Sequence, residues 1–342
     1  MGSSLCSRPI EYPIYLASEI NQNSRGEITK ILVTGGSGFI GSHLIPLLAE
    51  RDHKVYTLER HVTGRYVLGP ARMTVYGDIR DSFVIRKIIK EIQPEAVIHL
   101  AAISPVAYSY DHPQEVLEVN TLGTINLAEA CLREVPHFKH FLYAGTSEEY
   151  GNQTEFPIKE DAELRPNSPY SVSKVAADKY LQYMRGAYEF PVTVLRPFNT
   201  YGRKEDTHFV VERALTQMLR GKTVTLGDPT PVRDLMYVED HVNAYLTCLN
   251  NEKAIGEVFN FCTGRGVTVE EAINLLAKLA VFDGEIIWNT IPARPLDIQK
   301  LIGSPEKAKC ILGWQPKYSL EEGLKLSVEY WRNKFAKGFA HE

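Results

Sequence analysis

Tyr170 and Lys174 set the chemistry this sequence can do. They lie four residues apart in the run Asn167-Ser168-Pro169-Tyr170-Ser171-Val172-Ser173-Lys174. On a helix that spacing puts both on one face. A tyrosine with its ordinary pKa of about 10 is a poor base at neutral pH. A nearby ammonium and a cationic acceptor ring favour the phenolate. Such a phenolate can take a hydroxyl proton while hydride leaves the same carbon. Taken alone, this pair is more often a solvated helix face, so the elements around it decide the reading.

The element that gives the pair a partner is Thr34-Gly35-Gly36-Ser37-Gly38-Phe39-Ile40-Gly41. It follows the apolar run Ile31-Leu32-Val33 and opens the helical pattern His43-Leu44-Ile45-Pro46-Leu47-Leu48-Ala49. Strand, glycine turn and helix in that order make a pyrophosphate cradle, because the glycines admit close approach and the helix N-terminus favours an anion. The stretch reads Gly-x-x-Gly-x-x-Gly from Gly35 and Gly-x-Gly-x-x-Gly from Gly36. Lys54 to Leu58 reads as the second strand and ends in Glu59, where a ribose-binding acid belongs. Glu59 predicts NAD, since a carboxylate accepts from a ribose 2′-hydroxyl and repels a 2′-phosphate. The adjacent Arg60 could hold that phosphate, so NADP stands as the alternative.

The rest of the first half alternates strand and helix. Met73 to Tyr76 is a short strand ending in Gly77-Asp78-Ile79, and Asp81 caps a helix over Ser82 to Ile92. Ala96 to Leu100 is a buried strand followed by the small pair Ala101-Ala102. Then come a loop from Ser104-Pro105-Val106, a helix from Gln114 to Val135 and a strand from Phe138 to Ala144. Ser168 and Pro169 start a helix that runs to about Glu189, and Val192 to Leu195 is the next strand. Such alternation implies a doubly wound parallel sheet with right-handed crossovers, the Rossmann arrangement of the α/β class. Ligands sit beyond the strand C-termini in such sheets, and Gly35, Glu59, Asp78, Ala101 and Thr146 all fall there.

The second half has a helix (Val210 to Arg220), a strand (Val224 to Leu226) and two capping boxes, Thr268 with Glu271 and Ser319 with Glu322. The expected organisation is an extension over 1–28, a dinucleotide-binding domain over 29–200 to which later segments return, and a smaller C-terminal lobe, mainly substrate-binding, over 201–335. The extension lacks a basic start and a long apolar core, so it does not read as a signal peptide. It carries a segment from Arg8 to Leu16 that includes Pro9, Tyr12, Pro13 and Tyr15.

Composition narrows the function classes. The 342 residues carry a formal net charge of -4, which argues against nucleic-acid binding. No apolar run reaches membrane-spanning length. The five cysteines are scattered and odd in number, which fits reduced thiols in a cytoplasm. The histidines show no metal-ligand spacing, so no metal is expected. His99, at a strand end, reads as a packed histidine.

Taken together, Gly35-x-x-Gly38-x-x-Gly41, Asp78-Ile79, Thr146, Tyr170-x-x-x-Lys174 and Arg196-Pro197-x-Asn199 resemble the extended short-chain dehydrogenase/reductases that act on nucleotide sugars. The resemblance spans about residue 29 to 335. It implies a tightly bound NAD(P), used and regenerated within one turnover. By it, Phe39 and Ile40 belong to the glycine turn, Asp78 and Ile79 hold the adenine, and Leu100, Ala101, Ala102, Asn120 and Pro197 line the cofactor. Thr146 would hydrogen-bond the sugar O4, Tyr170 would be the base and Lys174 would bind the nicotinamide ribose. Ser104, Asn199, Arg233 and Arg294 would contact substrate, the last three at its diphosphate.

Within that family Thr146-Ser147-Glu148 resembles the sugar 4,6-dehydratases, in which a carboxylate removes the C5 hydrogen acidified by a C4 ketone. The expectation is a 4,6-dehydratase, with Ser147 standing where some dehydratases have an aspartic acid. UDP-glucuronate decarboxylases also carry Thr-Ser-Glu, and a 4-epimerase on the same scaffold is the alternative. A non-catalytic NAD(P)-binding protein is a third class, which intact Thr146, Tyr170 and Lys174 oppose. A homodimer is expected, because the helices over 114–135 and 169–189 carry apolar residues beyond one stripe: Leu117, Leu122, Ile125, Leu127, Val175, Tyr180, Leu181 and Tyr183.

Overall fold

The computed structural model describes residues 29–61, 69–203 and 205–337. The Arg8 to Leu16 segment lies outside them. Seven strands form one sheet: β1 Lys30–Thr34, β2 Lys54–Glu59, β3 Met73–Tyr76, β4 Ala96–His99, β5 His140–Ala144, β6 Val192–Pro197 and β7 Val258–Phe261. Their spatial order is β7-β6-β5-β4-β1-β2-β3, and all neighbours are parallel. The order reverses between β1 and β4, so the crevice beyond those two strand ends is where this topology takes a ligand.

Both faces of the sheet are covered, and its strands read as near-continuous apolar runs for that reason. Ile31, Val33 and Ile98 face helix α1 (Phe39–Glu50) and the later helix Val238–Cys248. Leu32, Val97, Phe141 and Tyr143 face helix α2 (Ser82–Ile92), the helix run α3 over 113–134, and helix α4 (Pro169–Tyr188). In α2 the spacing of Ile85, Ile88, Ile89 and Ile92 buries one stripe; each such side chain contributes about 1.5–3 kcal/mol. The Asp81 carboxylate accepts from the Phe83 and Val84 amides, which fixes where α2 begins.

Two features depart from the expected layout. α3 is not uniform: Pro113–Leu117 and Gly123–Glu134 are joined by a π-helical turn, Glu118–Leu122. The segment that returns to the sheet comprises the Val238–Cys248 helix and β7, neither of which stood out in the sequence. The remaining chain forms the smaller lobe on three short ladders. Asn199–Tyr201 pairs with Leu235–Tyr237, Val232–Arg233 with Val267–Thr268 and Lys300–Leu301, and Thr223–Thr225 with Glu285–Ile287. A separate apolar cluster of Tyr150, Ile158, Phe198, Cys262, Ile298 and Leu301 packs this lobe against the ends of β5 and β6.

Candidate active site

The glycine turn is built for an anion. Gly35 has φ +71°, and a Cβ there would lie 3.0 Å from the Ala101 backbone; a Cβ on Gly41 would lie 2.6 Å from Gly35 O and Gly36 Cα. Gly38 is the N-cap of α1 and offers no side chain to its first turn, which begins at Phe39 and Ile40. The open N–H groups of that turn are the anion-binding donors. These residues fit a dinucleotide pyrophosphate.

Glu59 is tucked beneath the turn rather than left free at the end of β2. Its Oε1 accepts from Ser37 N at 3.1 Å and its Oε2 from Ser37 Oγ at 2.6 Å. Burial pushes its carboxyl up, against the pull of the Ser37 hydrogen bonds. Arg60 is exposed, donates to His61 Nδ1 and faces Glu115 at 3.9 Å. Asp78 is held by Arg80 at 2.6 Å, and the hydrogen bonds from Arg80 keep it below its usual range. Ile79 packs under Gly123, where a Cβ would lie 2.6 Å from its side chain.

Leu100, Ala101 and Ala102 lie directly beyond β4 and are half-buried, and Ser104 in the same loop is exposed. Asn120, in the π turn, is committed to the protein itself. Its Oδ1 accepts from Ile103 N at 2.8 Å, and its Nδ2 donates to Ile103 O and to Ser173 Oγ, each at 3.0 Å. It therefore fixes the loop after β4 against the helix of Tyr170. His99 is packed as expected, between Thr34 Oγ1 at 2.7 Å and Thr124 Oγ1 at 2.9 Å, and burial holds it down at about 3.

The residues expected to react converge where β5 ends against α4. Thr146 caps the turn Ser147–Tyr150, its hydroxyl accepting from Glu148 N at 3.2 Å. The same hydroxyl is near enough to the Tyr170 phenol to favour its ionised form. Burial raises the phenol above its ordinary value, with the Glu148 and Glu149 charges adding to that rise; the Thr146 hydroxyl pulls the other way. The expected acidifying role of Lys174 takes a different form. Its Nζ donates to Ala144 O at 2.7 Å and lies 4.9 Å over the Tyr143 ring. Burial lowers the ammonium to about 8, opposed by Glu149.

The two adjacent glutamates divide sharply. Glu149 is fully buried, its Oε1 accepting from Thr146 N at 3.0 Å and its Oε2 from Arg196 Nε at 2.9 Å. Glu148 is half-buried, and its carboxylate makes no hydrogen bond among the described residues. Burial pushes Glu148 up, while Arg294 and Arg233 pull it down. Ser147 is buried between Thr146 and Glu148, its hydroxyl likewise uncommitted among the described residues.

Arg233 and Arg294 come together in the lobe as the sequence suggested. Asp297 bridges them, at 2.5 Å from Arg294 and 3.8 Å from Arg233. Asn199, two residues beyond Pro197 at the end of β6, has its Oδ1 buried with no hydrogen-bond partner among the described residues. Sequence reasoning missed Asp297 and Tyr110. The Tyr110 hydroxyl donates to Pro295 O at 2.8 Å and to Asn167 O at 3.3 Å, which ties the segment after β4 to the chain beside Arg294. It also missed Asp178, although Tyr170, Lys174 and Asp178 step by four along α4 and share a face. Among the described residues no cluster of histidine, cysteine and acid side chains could hold a metal.

A glycine cradle at the reversal of a parallel sheet, a Tyr-Lys helix beside a capped threonine and a pair of lobe arginines define a nucleotide-sugar enzyme of the short-chain dehydrogenase type. The sequence matches the GDP-mannose 4,6 dehydratase family over residues 32–327, and the chain belongs to that nucleotide-sugar epimerase/dehydratase family. The UDP-glucose 4-epimerase of Thermotoga maritima, solved with UDP-glucose, is 37% identical with a TM-score of 0.84, covering 89% of this chain and 99% of that one. The UDP-glucose 4-epimerase of Thermus thermophilus, solved with NAD, is 33% identical with a TM-score of 0.81, covering 88% of this chain and 98% of that one. The GDP-6-deoxy-D-mannose reductase of Pseudomonas aeruginosa is 30% identical, covering 89% of this chain and 98% of that one.

Proposed function

We propose that the chain is an NAD-dependent nucleotide-sugar 4,6-dehydratase. One observation carries the choice within the family: Glu148 holds an uncommitted carboxylate in the cleft, within electrostatic reach of Tyr170, Arg233 and Arg294. A 4-epimerase cycle has no step for such a group. NAD, when bound, supplies the oxidant for the sugar C4 and returns the same electrons to C6. Glu59 at the end of β2 favours NAD, since its charge repels a 2′-phosphate, while Arg60 is turned to Glu115.

The chain's own residues divide the rest of the work. Asn199, Arg233 and Arg294 bind the diphosphate, and arginines there suit its paired oxygens. The lobe is in this reading the substrate-binding part and the sheet the cofactor-binding part. Thr146 orients the O4 hydroxyl and Tyr170 takes its proton. Lys174 holds the nicotinamide ribose. Glu148 then removes the C5 proton and carries it to the departing C6 oxygen, which leaves as water, and C5 regains a proton from solvent as Tyr170 releases the one it took from O4. Ser147 offers a hydrogen-bond donor beside it.

The 4-epimerase reading stands second, favoured by the names of the Thermotoga and Thermus relatives. A panel of UDP-, GDP-, dTDP- and CDP-sugars followed by mass separates the two. The dehydratase yields a product lighter by one water. Glu148→Gln should still reduce bound cofactor on adding substrate but form product about 100- to 10,000-fold more slowly. Tyr170→Phe should show no cofactor reduction. A product of unchanged mass, with Glu148→Gln turning over at the wild-type rate, promotes the epimerase.

A further inference from the structure

Beneath the cleft lies a buried ionic node that the reaction does not consume. The Arg196 guanidinium donates from Nε to Glu149 Oε2 at 2.9 Å, from Nη2 to Asp178 Oδ2 at 2.5 Å and from Nη1 to Tyr150 Oη at 3.0 Å. Arg196, Glu149 and Asp178 are all essentially inaccessible. Each comes from a different element: Arg196 from β6, Asp178 from α4, Glu149 from the turn after β5. Those elements carry the working groups. β6 leads to Asn199, α4 bears Tyr170 and Lys174, and the turn bears Thr146 and Glu148.

Glu149 is the link between the node and the turn. One oxygen takes Arg196, and the other takes the Thr146 amide at 3.0 Å. A Cβ on Gly145 would lie 2.9 Å from that second oxygen, so the strand passes tightly over the carboxylate. Charged hydrogen bonds of this kind are roughly twice as strong as neutral ones and are directional. The neighbour Glu148 has no such tie, and it inherits its place from the turn that Glu149 anchors.

We propose that Glu149 is a positioning residue: through Arg196 and the Thr146 amide it sets Thr146 and Glu148 against Tyr170. It touches neither substrate nor cofactor. The proposal rests on the nucleotide-sugar reading for its kinetic consequence but not for its structural one. Displacing a reacting group by about 1 Å can cost on the order of 100-fold. Substrate binding through Arg233 and Arg294 lies outside the node and should be spared.

The test uses the full chain with its bound cofactor. In Glu149→Gln the rate of cofactor reduction should fall about 10- to 100-fold while KM for the nucleotide sugar stays within about twofold. In Glu149→Gln an N–H2 replaces one acceptor oxygen and must face a donor, the Thr146 amide or Arg196 Nε, which also destabilises, so a second variant separates the two effects. Replacing the whole node, as in Glu149→Leu/Asp178→Leu/Arg196→Met, removes the mismatched buried polar groups together and tends to restore stability. Its rate should stay low even as its Tm recovers. A rate that returns with Tm, or wild-type kinetics in Glu149→Gln, overturns the proposal. Hydrogen exchange at the Thr146 amide needs no substrate: exchange should rise at least about 10-fold in Glu149→Gln while the β5 amides keep their protection. Unchanged Thr146 exchange overturns the proposal even if no nucleotide sugar is turned over. Absence of wild-type turnover on every sugar refutes the functional reading alone.

Discussion

At the scale of single residues, burial governs the site more than pairwise attraction does. Lys174 illustrates this, since desolvation brings its ammonium from 10.5 down to about 8. The unfolded chain therefore holds a proton that the folded chain has released between about pH 8 and 10.5, so this group's stability cost is relieved as pH rises through that window. The difference in unfolding free energy between wild type and Lys174→Met should rise from about pH 8 to about pH 10, measured by chemical denaturation. A flat difference would mean that Lys174 keeps its ordinary pKa. The cofactor-reduction step should run the opposite way and fall above about pH 8 as the ammonium proposed to hold the ribose is lost. The two adjacent glutamates make the companion point. Nothing in Thr146-Ser147-Glu148-Glu149 distinguishes a cleft carboxylate from a buried one until Arg196 and the Thr146 amide claim the second.

At the scale of elements, the glycine turn is the least tolerant part of the chain. The atoms a Gly41 Cβ would meet at 2.6 Å are backbone atoms of Gly35 and Gly36, which cannot swing aside. Gly41→Ala should keep the fold but lose bound cofactor, read as nucleotide released on denaturation. Gly221→Ala, with open space around its Cβ, should retain the wild-type content. Equal cofactor in both would show that the turn can relax. This turn was legible in the sequence because its requirement is local. So were the helix starts at Asp81, Ser168, Thr268 and Ser319, where one side chain meets an amide two or three residues on. Elements defined by distant partners were not. β7 is a strand because Val258 to Phe261 pairs with β6, far earlier in the chain, and the π turn is seen only through the bonds of Asn120 to Ile103 and Ser173. Arg233 and Arg294 were legible as a pair, but Asp297 between them was not, because its role exists only once the lobe is folded.

At the scale of the molecule, α3 and α4 present a surface that one copy leaves uncovered. Of the residues that suggested association, Leu127 and Leu181 turn out to fill the protomer core. Leu117, Leu122 and Tyr183 remain exposed, joined by Val172 and Tyr188. An apolar face shared by two neighbouring helices suits a second copy of the same pair. Light scattering at micromolar concentration should give twice the chain mass, and Leu122→Arg/Tyr183→Arg should reduce it to one. A monomeric wild type would leave the exposed tyrosines without that explanation.

The late position of β7 has a consequence for how the protein is made. A ribosome delivers residues in order, so every residue proposed to bind the cofactor, from Gly35 to Pro197, emerges before the strand that flanks β6. Until Val258 to Phe261 arrives, β6 is a bare edge whose Val192, Val194 and Leu195 are among the most buried residues of the finished molecule. Unpaired apolar edges recruit other chains. A nascent chain stalled before residue 258 thus carries all the residues proposed to hold the cofactor but lacks Arg294 and the strand that covers the β6 edge. A chain ending at Ile255 should accumulate as aggregate, whereas one carrying β7 should partition to the soluble fraction, as read by sedimentation after translation in vitro. Soluble, cofactor-loaded protein from the shorter chain would show that the edge needs no such cover.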